Sequence, residues 1–270
     1  LKVINEQNTL GVVIGSCDKN CDLWDIFFDL FFKHWPDIPY PVYLIANHKQ
    51  FKHERVTTLL AGDDLSWSTT ILKALSGFPH SHLLFWLDDV FPIAPIDSAQ
   101  IDKFYAWGVN NKARYVRLMP HPGKAKVWNP EGVGELERDS EYRVCLFSSI
   151  WSVETLKTLL KDGESAREFE VLGSLRSRTM DGFYCTRKWL LKNHLIHGVH
   201  KKVWFPSGVR ALKKLGYTPD FTKRRVMSRK EALVVQYEVF KSFVYNLLPE
   251  RMRAPILKKI QKFYKIVGLR

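Results

Sequence analysis

Apolar residues gather in this chain into short unbroken runs, separated by stretches in which they recur at helical spacing. Leu10-Gly11-Val12-Val13-Ile14-Gly15 is the first run and Pro41-Val42-Tyr43-Leu44-Ile45-Ala46 the second, and Val56 to Leu60 reads as a further strand. A third run, Leu83-Leu84-Phe85-Trp86-Leu87, ends on Asp88-Asp89-Val90-Phe91-Pro92. Short apolar runs without alternation fit strands buried on both faces of a mainly parallel sheet. Between the first two, Leu23, Trp24, Ile26, Phe27, Leu30 and Phe31 share one side of a predicted helix, which Asp22 is placed to cap and Trp35-Pro36 to stop. Ser66 caps a second predicted helix reaching about Ser76. Further strands are predicted from Arg114 to Leu118 and from Arg143 to Ile150. The Gly/Pro-rich stretch between them, Pro120 to Gly134, shows neither period and reads as a long loop of the kind that lines or covers a site. Strand and helix alternate, so the expected fold is α/β: a mixed, mainly parallel sheet flanked by helices. There is no internal repeat and no low-complexity segment.

Composition adds limits. With 46% hydrophobic and 26% charged residues over 270 positions, the chain is an ordinary globular protein, long enough for one α/β domain with an appendage. Its nine tryptophans and seventeen phenylalanines suit a sugar- or base-binding wall, and suit core packing equally. The four cysteines have no zinc-site spacing and read as free thiols of a reducing compartment. No apolar stretch approaches a membrane span and no secretory signal is visible, although the chain begins with Leu. The expected location is cytoplasmic.

Charge divides the chain. Up to Cys185 there are 20 Lys and Arg against 24 Asp and Glu; from Thr186 onward there are 21 against 4. All of the excess positive charge therefore sits late in the sequence. A basic appendage on a slightly acidic body seeks a polyanion, either nucleic acid or an anionic membrane surface.

Asp88 and Asp89 are the first candidate chemistry. They fall at the carboxyl end of a buried strand, where open α/β sheets place their ligand crevice. Paired carboxylates there suit a hard divalent cation, Mg²⁺ or Mn²⁺, held against a diphosphate, with Asp88 alternatively on a ribose. The competing reading is a pair that shapes the following turn. Ser16 and Asp18, on the loop after the first strand, are placed to meet a base and ribose, or simply to form that loop.

Several of these runs together resemble a bacterial polysaccharide glycosyltransferase family. The resemblance is carried by Gly15-Ser16-Cys17-Asp18, Leu23-Trp24 with Phe27-Phe28, Trp35-Pro36-Asp37, Pro41-Val42-Tyr43-Leu44, and Trp67-Ser68. It continues through Leu87-Asp88-Asp89-Val90-Phe91, Trp151, and Gly163-Glu164-Ser165-Ala166-Arg167-Glu168-Phe169-Glu170. It spans roughly residues 10 to 205. The resemblance implies a GT-A-like nucleotide-sugar transferase of lipopolysaccharide O-antigen or capsule assembly, with a glycan or lipid-linked acceptor. It implies an acidic general base, Glu170 with Glu168 as the alternative, and Trp67 in nucleotide-sugar binding. It also implies a late histidine, His197 or His200, completing a cation's shell, with Lys201 and Lys202 near the diphosphate. The sequence departs from the Asp-x-Asp pattern of that fold, offering Leu87-Asp88-Asp89 instead. Plainer alternatives stand beside these roles: the glutamates suit the first turn of a helix capped by Ser165, and the histidines suit structural positions.

Residues 206–270 are expected to form the basic appendage. Ala232 to Leu247 and Ile256 to Val267 each carry apolar residues at helical spacing, the second with Lys258, Lys259, Lys262 and Lys265 around it. A basic amphipathic helix suits the headgroup layer of an anionic membrane, here the inner face of the cytoplasmic membrane; a helical hairpin packed on the body is the alternative. The rival activities are a nucleotidyltransferase and a basic RNA-binding protein. Against the first stands the single glycine of Gly15-Ser16-Cys17-Asp18 where a Gly-rich phosphate loop would be needed. Against the second, the tail's aromatics recur at helical spacing and not interleaved with basic groups, so no nucleic-acid partner is expected.

Overall fold

The computed structural model describes residues 9–237, apart from 123, 124, 141, 201 and 236. The chain runs through β1 (Leu10–Gly15), α1 (Cys21–His34), β2 (Val42–Ala46), β3 (Val56–Leu60), α2 (Trp67–Ala74) and β4 (His82–Leu87). It continues with β5 (Val90–Pro92), α3 (Ser98–Asn110), β6 (Tyr115–Arg117), β7 (Ala125–Trp128), β8 (Val133–Leu136), β9 (Ser149–Ser152) and α4 (Val153–Leu159). The remainder carries α5 (Ala166–Glu168), α6 (Ser174–Arg176), β10 (Phe183–Thr186), β11 (Leu195–His197), β12 (Val199–His200), β13 (Val203–Trp204) and α7 (Pro206–Lys214).

Nine strands form one mixed sheet in the order β3-β2-β1-β4-β9-β6-β10-β8-β7. β1 pairs in parallel with β2 and β4, β2 with β3, and β6 with β10, whereas β9 and β8 run against their neighbours. The mixed, mainly parallel sheet flanked by helices is thus the fold the hydrophobic pattern predicts. Successive residues of each central strand face opposite ways. Val12, Ile14, Leu84 and Trp86 pack with the aromatic side of α1, and with α3, in one core. Val13, Leu83 and Phe85 pack with α2 and α4 in the other. Burial on both faces is why these runs are continuously apolar. Most of the aromatic residues serve here: Phe31, for example, meets Trp86 edge-to-face at 5.6 Å.

Three local predictions need correction. The stretch Pro120 to Gly134 is not featureless, because β7 and β8 form a hairpin at the sheet's outer edge. Its alternation is too short to register, and Gly134 stands where a side chain would meet Ala125 Cβ and the Val127 carbonyl at 2.8 Å. Arg143 to Ile150 forms a strand only from Ser149 onward. Residues 143–148 are apolar because they are buried beneath the helical segment 166–179, with Arg143 donating to the carbonyls of Leu136, Ser177 and Met180. Asp22 does not cap α1, whose N-cap is Asn20. Ser66, by contrast, accepts from the Thr69 N–H as an N-cap should.

The sequence boundary at residue 205 meets continuous packing. Val209 and Leu212 of α7 belong to the α1-side core, and Trp204 bridges to Val226. Gly208 approaches so closely that a Cβ there would lie 2.8 Å from Gly198 Cα. Leu233 and Tyr237, at the start of the first predicted tail helix, are exposed. The rest of that helix and all of the second lie outside the described residues.

Candidate functional site

Strand order places a crevice between β1 and β4. The chain moves from β1 outward through β2 to β3, then returns to the other side of β1 with β4. Ligands of open α/β sheets sit at the carboxyl ends of the strands flanking such a reversal. Gly15 ends β1 there and Leu87 ends β4, in register with each other. The start of β9 reaches the same rim, because Ser149 pairs with both Phe85 and Arg117.

Asp88 closes the crevice from the β4 side. Its carboxylate accepts from the Ser16 hydroxyl across the gap and from Asn20 Nδ2 at 3.2 Å. Ser16 is held in turn by Trp24 Nε1 at 2.8 Å. Only 4% of Asp88 is exposed, and burial, followed by the adjacent Asp89 charge, pushes its pKa up to about 7. Burial likewise pushes Asp89 up to about 6, against the pull of its own backbone N–H and of Arg224. No side chain among the described residues bonds to the Asp89 carboxylate, which remains partly open to solvent. Trp86 Nε1 donates to the Val90 carbonyl at 2.8 Å and so fixes the turn that presents both acids.

Arg224, which carries no local sequence signal, is the residue that organises this cluster. Its Nε and Nη2 clasp Asp22 at 2.7 and 3.0 Å, and Nη2 also reaches Asn20 Oδ1 at 2.7 Å and the Lys19 carbonyl at 2.8 Å. Asn20 therefore links the guanidinium to Asp88. Both ion-pair side chains are nearly sequestered, at 6% and 5% exposed.

The other predicted residues divide clearly. Asp18 sits on the same rim, but its carboxylate accepts from the backbone N–H groups of Asn47, His48 and Lys49. Burial raises its pKa, the three N–H groups more than offset this, and the carboxyl stays below its ordinary value. Asp18 thus clasps the loop after β1 to the loop after β2. Trp67, half-buried, opens α2 at the rim with its ring 5.3 Å from Phe169. His197 pairs with Val90, immediately after Asp89, and the Gly198 N–H donates to the Asp89 carbonyl at 2.8 Å. His197 is exposed, yet enough protein surrounds it that burial, then the charge of His200, lowers its pKa. Lys201 lies outside the described residues; Lys202 is exposed.

The glutamates have three different fates. Glu164 is buried and paired with both Nη atoms of Arg176 at 2.7 Å. Glu168 is exposed and occupied by a capping box with Ser165, so it stands apart from the crevice. Glu170 lies two residues on, in a π-helical turn over residues 169–173, and accepts from the Leu146 N–H at 2.9 Å through Oε1. Leu146 and Phe147 precede β9 at the rim, and the Phe147 ring is 5.8 Å from Trp86 and 6.1 Å from His197. Glu170 thus shares the rim with Asp88 and Asp89. Burial raises its pKa, while Leu146, Cys145 and the charges of Arg117 and Arg167 pull the other way. Arg117 is fully buried, with Nη2 unpartnered among the described residues.

A divalent cation fits this donor set in one particular way. No group of three His, Cys, Asp or Glu side chains among the described residues converges as a metal cage. Asp89 is the carboxylate without a side-chain partner among the described residues, Asp88 adjoins it in sequence, and the His197 backbone pairs with Val90 just after it. That suits an ion completed by substrate phosphate oxygens, as Mg²⁺ commonly is. No helix among the described residues is long and apolar enough to cross a membrane, and the cysteines there are free thiols.

No family model matches the chain, and no curated protein matches it by sequence. Among solved structures, S. aureus TarS 1–349 in complex with UDP-GlcNAc is 11% identical, with a TM-score of 0.42 over 66% of this chain and 58% of that one. A UTP-bound UGPase from Acinetobacter baumannii is 9% identical, with a TM-score of 0.46 over 86% of this chain and 99% of that one. A197 from STIV is 16% identical, with a TM-score of 0.38 over 73% of this chain and 88% of that one. The chain spans less than two thirds of TarS 1–349, and likenesses this distant say nothing of what it binds.

Proposed function

We propose that this chain is a glycosyltransferase that moves a sugar from a nucleotide-diphosphate donor to a growing bacterial surface polysaccharide or lipid-linked glycan. One observation carries the reading: two adjacent carboxylates stand at the β1/β4 reversal, one locked in a buried network and the other without a side-chain partner among the described residues. In the transfer, an acceptor oxygen bonds to the anomeric carbon as the bond from that carbon to the diphosphate breaks. The acceptor proton must leave and the departing anion must be met. Asp89, with Asp88 and His197 beside it, would hold Mg²⁺ or Mn²⁺, which when bound neutralises the diphosphate. Arg224 supplies fixed positive charge nearby. Glu170, with one oxygen tied to Leu146 and its affinity for a proton raised by burial, suits the general base better than Glu168, whose pKa is lowered by its Ser165 contacts.

A panel of nucleoside diphosphates and their sugars, each with Mg²⁺ or Mn²⁺, tests this by thermal stabilisation. One nucleotide is expected to stabilise the protein, and Asp89→Ala to weaken its binding by about tenfold or more, roughly 1.4 kcal/mol. Binding that is indifferent to Asp89→Ala, or no binding across the panel, sinks the assignment. Cleavage of a nucleoside triphosphate with a sugar phosphate would instead favour the nucleotidyltransferase reading.

We further place the reaction at an anionic membrane surface, supported by the late concentration of basic residues, 21 against 4 acidic from Thr186 onward. Vesicles containing anionic lipid are expected to sediment the full chain and to leave a chain ending at Met227 in solution. Equal sedimentation of both would remove the membrane role.

A further inference from the structure

The end of the central strands opposite Asp88, where β4 and β6 begin, holds a second concave site. A cavity of about 430 Å³ opens between the C-terminal end of α3, the start of β6 and the first turn of α4. Its volume lies toward the lower end for small-molecule sites. His82, Lys112 and Arg114 stand in its lining with Thr155, and no acidic side chain among the described residues does. Neither Lys112 nor Arg114 has a side-chain hydrogen bond or ion pair among the described residues, and both are exposed.

One hydroxyl in that lining lacks a partner. Thr155 Oγ1 is buried and unbonded among the described residues, in a residue only 1% exposed. Buried hydroxyls ordinarily find partners, so one in a cavity lining marks a place where a polar ligand can supply it.

Lys112 adds a third, independent sign. It follows α3 at the position where the Ala113 N–H bonds to the Gly108 carbonyl at 2.8 Å and its own N–H to the Val109 carbonyl at 3.1 Å. That helix ending calls for a left-handed residue, usually glycine, yet Lys112 adopts it with φ 52°. The chain accepts backbone strain to place a cation at the cavity mouth.

We propose that this cavity binds a small phosphate monoester, its phosphate held between Lys112 and Arg114 and its polar body hydrogen-bonded to Thr155. Calorimetric titration of the full chain with a hexose 6-phosphate, inorganic phosphate and the free hexose tests it. The ester is expected to bind saturably, about tenfold more tightly than inorganic phosphate, with no heat from the hexose. Lys112→Gly removes the charge and relieves the strain, so it should keep or raise the melting temperature while weakening the ester about tenfold. Arg114→Ala should weaken it similarly, and Thr155→Val should erase the preference for ester over inorganic phosphate. Asp89→Ala, at the far rim, should leave the titration unchanged. No saturable binding of the ester, equal affinity for inorganic phosphate, or full affinity in Lys112→Gly would each overturn the proposal.

Discussion

Asp22→Ala is expected to destabilise the protein by about 3–5 kcal/mol, a large share of a typical domain's stability. The cause is the cation left behind. Arg224 is only 6% exposed and meets Asp22 through two hydrogen bonds of 2.7 and 3.0 Å. With the carboxylate gone, a guanidinium remains in a place that water barely reaches, and only the more distant charges of Asp88 and Asp89 offset its desolvation. Replacing both partners by apolar residues of similar size should recover much of the loss, because the pair itself is worth far less than the penalty for splitting it. Urea denaturation of Asp22→Ala, Arg224→Met and the double variant separates the two contributions. A loss below about 1 kcal/mol for Asp22→Ala, in the range of an exposed pair, would mean that the clasp is not sequestered in solution. The effect should also reach the candidate site, since Asn20 holds Arg224 on one side and Asp88 on the other.

Asp88→Asn is expected to do the reverse at neutral pH. The Asp88 carboxyl titrates near 7 in the folded chain, raised from 3.8 by burial and by Asp89. Between those two values the folded state keeps a proton that the unfolded state has released. Stability therefore falls as pH rises from about 4 toward 7, and the deficit is complete above that window. Its size is on the order of 4 kcal/mol, from about 1.4 kcal/mol for each of roughly three pKa units. An asparagine has no proton to lose, and its amide can still accept from Asn20 and donate to Ser16. Above pH 7 the variant should be the more stable protein, with a flatter stability profile from pH 4 to 7. Its affinity for a nucleotide with a divalent cation should fall, a trade of function for stability of the kind active sites commonly show. An unchanged pH profile in Asp88→Asn would show that this carboxyl is not buried as described.

Much of the central architecture was legible from residue pattern alone. The strands β1, β2 and β4 are almost continuously apolar because both faces are covered, and that burial leaves a direct mark on composition. The placement of Asp88 and Asp89 at a strand's carboxyl end followed from the same run. Short edge elements were not legible. β7 and β8 span a few residues each, and one of them contains a glycine required by close backbone approach. Residues 143–148 misled for a related reason: burial makes a segment apolar whether or not it is extended.

Glu168 and Glu170 show where reading by neighbourhood stops. They are two positions apart with the same chemistry, and helix geometry puts them on different faces. Only the π-helical turn and the Leu146 N–H decide that Glu170 reaches the rim while Glu168 serves Ser165. Arg224 is the stronger case. Its carboxylate partner lies 202 positions earlier, and nothing near either residue announces the other.

The sequence by itself determined which segments are buried, and hence the layers of the fold and the strand that ends in paired acids. Burial is a property of each segment's own side chains, so it can be read one window at a time. Only the tertiary structure decided which charges meet: Asp22 with Arg224, Asp88 with Ser16 and Asn20, Asp18 with three backbone N–H groups. Partnerships of that kind depend on where distant loops come to rest, and a carboxylate carries no record in its own neighbourhood of which donor will find it.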